Sequence, residues 1–115
     1  MKKAALIAIA VMVSCPAAAQ TIPWDVSPAK VRHDSAAHCA DLIPESLSVQ
    51  VRCREMAHDG AAEFAAIARR HLQNRRMMVA LDHCYRLFTE NGLVNFGLLG
   101  TCARQQETAL HQLDD

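Results

Sequence analysis

Residues 77–102, Met77-Met78-Val79-Ala80-Leu81-Asp82-His83-Cys84-Tyr85-Arg86-Leu87-Phe88-Thr89-Glu90-Asn91-Gly92-Leu93-Val94-Asn95-Phe96-Gly97-Leu98-Leu99-Gly100-Thr101-Cys102, decide the fold. Met77, Leu81, Cys84 and Phe88 recur at i, i+4, i+7 and i+11, which is one apolar stripe of a helix, while Asp82, Arg86 and Glu90 point elsewhere. Asn91-Gly92 reads as a helix stop, because both residues take the left-handed C-terminal conformation at little cost. A last helix is predicted from about Leu93 to Leu113, with Leu99, Cys102, Gln106 and Leu113 along one side. Gly97 and Gly100 weaken its first turns. Cys84 lies about seven residues before the turn and Cys102 about ten after it, so antiparallel helices rising 1.5 Å per residue bring the two to similar heights.

Upstream, Ser27-Pro28 is an N-cap followed by a first-turn proline, and it opens a helix near residue 28. That helix should end around Asp41, because Pro44 pushes Ile43 out of the α region. Pro44 itself can start the second helix, with Glu45 in the turn where the helix dipole favours an acid. Val49, Cys53 and Met56 then recur at i, i+4, i+7 and share a face. Gly60 weakens this helix by about 1 kcal/mol relative to alanine, and Ala61 to Leu72 resumes a strong helical composition. Asn74 is the next place where the helix can bend or break. Residues 20–27, with Pro23 and Trp24, read as an extended lead-in. No segment alternates as a strand does, so the expected fold is all-α: three to four helices in a small helical-hairpin bundle over residues 28–115, stapled by two disulfides.

A faint repeat supports the hairpin arrangement. His38-Cys39-Ala40-Asp41-Leu42 matches His83-Cys84-Tyr85-Arg86-Leu87 at histidine, cysteine and leucine, and each copy precedes a turn signal and a second cysteine. Four cysteines in this region allow three pairings. Cys39–Cys53 with Cys84–Cys102 places one staple in each hairpin. The nested alternative, Cys39–Cys102 with Cys53–Cys84, needs a sharp hairpin near Leu72 to Asn74.

The front of the chain reads as an export signal. Lys2 and Lys3 precede an apolar run from Ala4 to Val13, and Pro16 leads to the small-residue cleavage site Ala17-Ala18-Ala19. The run is roughly half of the ~20 residues that span a bilayer, so residues 1–19 are expected to be cleaved and not to anchor the protein. Met12-Val13-Ser14-Cys15 loosely resembles a lipobox, which would leave Cys15 lipidated, although Pro16 and the alanine site compete with it. An exported destination, periplasmic or secreted, is oxidising, and there an even set of cysteines forms disulfides.

The whole chain has 12 Lys and Arg against 12 Asp and Glu. Two of those lysines leave with the signal, so the remainder is slightly acidic and has no electrostatic footprint for nucleic acid. The densest charge cluster, Arg69, Arg70, Arg75 and Arg76, forms a girdle around a helix and is a candidate partner contact. His33, His38, His58, His71, His83 and His111 offer a metal- or pH-responsive alternative. Chelating spacings such as C-x-x-C or H-x-x-x-H are missing, as are a nucleophile elbow and a phosphate loop, so neither a metal centre, a cofactor nor catalysis is expected. The expectation is a non-catalytic binding or structural module of the bacterial envelope, with an unidentified protein or envelope component as partner and no transmembrane span.

Overall fold

The computed structural model describes residues 21–114. The expected signal segment, its cleavage site and Cys15 lie outside the described residues. In chain order the elements are α1 (Pro28–Leu42), α2 (Leu47–Arg70), α3 (Arg75–Leu87), β1 (Thr89–Glu90), β2 (Leu93–Val94) and α4 (Phe96–Asp114).

Side-chain caps set each helix start. The Lys30 amide donates to Ser27 Oγ at 3.3 Å, and Pro28 follows the cap in α1. Helix α2 begins at Leu47 instead of Pro44, because Ser46 is the residue whose hydroxyl can accept an orphan amide, that of Val49 at 3.3 Å. The helix then runs unbroken through Gly60 to Arg70. The chain breaks at Asn74, whose Oδ1 accepts from the Met77 amide at 3.1 Å and starts α3.

The segment between α3 and α4 differs from the sequence expectation. Helix α3 stops at Leu87, and α4 begins at Phe96 instead of Leu93. Between them, β1 and β2 pair antiparallel, Thr89 with Val94 and Glu90 with Leu93. Asn91 (φ 54°) and Gly92 (φ 79°) are both left-handed. Two consecutive positive φ angles match the right-handed twist of a two-residue hairpin, so Asn91-Gly92 joins strands and does not cap a helix. Asn95 caps α4, accepting from the Leu98 amide at 3.1 Å.

The core is built where α2, α3 and α4 meet. Phe64, Ile67 and Ala68 of α2, Met77, Leu81 and Cys84 of α3, and Phe96, Leu99 and Ala103 of α4 form one buried cluster. Helix α1 adds Val31 to it. Leu110 is buried toward the far end of α4, whereas Leu113, expected on one side with Leu99, Cys102 and Gln106, is 72% exposed in the last turn. Two glycines allow α2 and α4 to cross closely. A Cβ on Gly60 would fall on the Phe96 carbonyl, and one on Gly100 would sit 2.6 Å from the Gly60 Cα. Before α1, Ile22, Trp24 and Val26 pack on the cluster. Trp24 meets Phe64 edge-on at 5.1 Å, and its indole N–H donates to Asp82 Oδ1 at 3.0 Å.

The bundle is all-α apart from this ribbon, and the favoured pairing of cysteines is present. Cys39 is bonded to Cys53 with Cα atoms 5.7 Å apart, and Cys84 to Cys102 with Cα atoms 5.9 Å apart. Two such bridges suggest an oxidising, exported setting. No helix among the described residues is long and apolar enough to cross a membrane.

Candidate functional site

Helices α1 and α4 both pack on α2. Between them they leave part of the N-terminal half of α2 uncovered. The result is a groove of about 470 Å³, lined by His38 and Leu42 of α1, by Val49, Arg52, Cys53 and Met56 of α2, and by Asn95, Leu98 and Thr101 at the start of α4. Val49, Cys53 and Met56 do share a face, but that face lines the groove and does not fill the core. Leu42 is 55% exposed, Val49 37%, Met56 60% and Leu98 48%. Isolated exposed leucines need no explanation; here three large aliphatic side chains and one thioether line a single depression.

Cysteine and cap chemistry position this groove. The Cys39–Cys53 bridge ties α1 to α2, and Cys53 lines the groove itself. Asn95 anchors the first turn of α4, and its amide nitrogen lies 3.5 Å from His38 Nε2. Arg52 and His38 are the ionisable groups of the lining, which contains no carboxylate. Among the described residues Arg52 has no ion-pair partner.

The sequence-predicted site residues are placed elsewhere. Arg70 makes a two-pronged contact with Glu107 of α4, at 3.1 and 2.9 Å. His71 joins the same carboxylate at 2.7 Å. The Arg70 bonds, opposed by partial burial and helped by His71, hold Glu107 below the usual glutamate range. Arg76 lies 3.6 Å from Asp114. Arg69 borders a shallow hollow beside residues 21–28, and Arg75 is exposed at the start of α3. The arginines therefore do not converge on one surface, and two of the four help hold α4 in place. The histidines are likewise dispersed: His33 pairs with Asp34, His38 lines the groove, and His58, His83 and His111 are exposed. Among the described residues, no three His, Cys, Asp or Glu side chains come together as a metal site.

Asp34 has no counterpart in the sequence reading. It is 0% exposed and accepts from Lys30 Nζ at 2.8 Å, from the Val94 amide at 3.0 Å, and pairs with His33 Nδ1 at 2.8 Å. Burial alone would raise its pKa, but these hydrogen bonds outweigh burial and hold the carboxyl below the usual aspartate range. Lys30, raised by the same pair, also donates to the Gly92 carbonyl at 3.2 Å. Together they bind α1 to the β-ribbon. The i, i+4 spacing of Lys30 and Asp34 was legible as a helical ion pair; its burial under β2 was not. The groove residues Leu42, Arg52, Asn95 and Leu98 were also missed, because they come from three separate segments.

No family model matches the chain, and no curated protein or solved structure shows detectable similarity to it.

Proposed function

We propose that this chain is a small, exported, non-catalytic binding module of the bacterial envelope, with the α1–α2–α4 groove as its binding site. The observation that carries the reading is the groove: large apolar side chains stand exposed along it, interspersed with a few polar groups, Arg52, His38 and Asn95 among them. Its volume falls within the range of about 300–1,000 Å³ occupied by small-molecule sites. The two carboxylates held low by ion pairs have structural work that accords with a non-catalytic reading. Asp34 and Glu107 lie outside the groove lining and are committed to cations that join one element to another.

The test is to place a photo-activatable side chain at Leu98 or Met56 in the exported protein and irradiate living cells. Val79, equally exposed on α3 and outside the groove, serves as the control. A discrete adduct from the groove positions alone is the expected result. Equal adducts from Val79, or no adduct at either groove position, would reject the groove as the binding site.

A further inference from the structure

We infer that the groove takes a single-chain amphipathic carboxylate of the fatty-acid class, its aliphatic tail along Leu42, Val49, Met56 and Leu98 and its carboxylate on Arg52. The inference rests on the binding-module reading and adds the chemical class of the ligand.

Three features of the groove select this class. The tail region is aliphatic and thioether, with no aromatic side chain lining it, so it offers dispersion contact to a flexible hydrocarbon and no stacking surface for a planar ring. Met56 adapts to irregular hydrocarbon because its three rotatable bonds and polarizable sulfur repack at little cost. The second feature is where the cation stands. Val49, Arg52, Cys53 and Met56 fall at i, i+3, i+4 and i+7 of α2, so Arg52 interrupts an apolar stripe where another aliphatic residue would extend the hydrophobic surface.

The third feature is charge. Arg52 has no ion-pair partner among the described residues, and no acid lines the groove, so the site favours an anion and disfavours a cation with the same tail. A guanidinium fork matches a carboxylate with two parallel hydrogen bonds, which fixes the head while the tail lies along α2. His38 and Asn95, whose side-chain nitrogens lie 3.5 Å apart, add further polar groups to the lining. A groove of about 470 Å³ lies within the range of about 300–1,000 Å³ that small-molecule sites occupy, which accommodates one such chain.

Titration calorimetry of the oxidised protein with submicellar dodecanoate, dodecanol and dodecyltrimethylammonium tests the assignment. Dodecanoate is expected to bind at one site per chain, dodecanol about tenfold more weakly, and the cation weakest of all. Arg52→Gln should bring dodecanoate down to the level of dodecanol. Leu98→Glu should abolish binding of both with an unchanged unfolding midpoint, since each of these side chains is exposed in the free protein. Equal binding of the three probes, or dodecanoate binding indifferent to Arg52→Gln, would overturn the carboxylate assignment and leave the groove a binding site. Absence of binding by every probe would overturn the ligand class altogether. Cross-linking from Leu98 in cells would still decide the binding-module reading separately.

Discussion

The two stapled hairpins look alike in sequence and are used differently in the structure. The α3–α4 hairpin carries its bridge in the core: Cys84 and Cys102 are both buried among Leu81, Leu99 and Ala103. The α1–α2 hairpin carries its bridge at the edge of that core, with Cys39 buried and Cys53 opening onto the groove. Beyond this bridge the α1–α2 tip exposes Leu42, Ile43, Leu47 and Val51. The loops closed by the two bridges, 14 and 18 residues apart in sequence, differ too little for closure entropy to separate them. Packing makes the difference. One hairpin buries its apolar stripes in the core, and the other leaves a stripe exposed along the groove.

The strongest way to break this comparison is at the crossing of α2 and α4. Gly100→Val should remove cooperative unfolding or cost more than about 4 kcal/mol, because the added carbons meet the Gly60 backbone, which cannot move without parting the helices. Gly97→Ala is the control, since its Cβ would find its nearest neighbours at 3.7 Å. It should shift stability by less than about 1 kcal/mol. Thermal unfolding of both variants checks the pair. A folded Gly100→Val protein with native stability would show that the close crossing is not what holds the core.

The next effect separates the bridges themselves. Each closed loop contributes about 3 kcal/mol in the chain-entropy model. Replacing Cys84 and Cys102 together by alanine also removes two buried sulfurs from the core cluster, whereas the Cys39/Cys53 double variant removes one buried sulfur outside that cluster and one that is half-buried, at a smaller cavity cost. The Cys84/Cys102 variant should therefore have the lower unfolding midpoint. The opposite ranking would place the stability of the bundle in the α1–α2 hairpin.

Asp34 tests the seam between the two regions. Asp34→Ala strands the Val94 amide and frees Lys30, and is expected to cost roughly 2–4 kcal/mol in denaturant unfolding. Amide exchange at Val94 should rise with it. Unchanged protection at Val94 would mean that α1 does not clamp the ribbon.

A smaller effect is expected in acid. Asp34 and Glu107 have folded pKa values below their unfolded ones, so their stabilisation is complete above the ordinary carboxylate range of about pH 4. It is lost as pH falls through the lowered folded values. The midpoint should fall across that window, and Asp34→Asn with Glu107→Gln should flatten the fall. An equally steep decline in the double variant would assign the acid sensitivity to other groups. The smallest effect is expected at the tip, where Leu47→Ser should change stability by no more than about 0.5 kcal/mol, since Leu47 is 77% exposed. A larger loss would mean that the tip is packed in solution.

Much of this fold was legible because its determinants are local. The stripe from Met77 to Phe88, the Ser27-Pro28 start and the pairing of cysteines across short connections follow from helix periodicity, capping and chain proximity. These operate within one or two turns and need no knowledge of the partner element. Tertiary structure decided the rest. Asn91-Gly92 suits both a helix end and a primed hairpin turn. The choice lies with the ribbon pairing and with the buried Asp34 that accepts from Val94, a residue 60 positions away. Gly60 and Gly100 read as weak points in isolated helices, yet they are what allows α2 and α4 to meet. Val49, Cys53 and Met56 read as one helix face, and that face remains open because α1 and α4 pack to either side of it. A stripe records which residues lie together; only the neighbouring helix determines whether that stripe is covered.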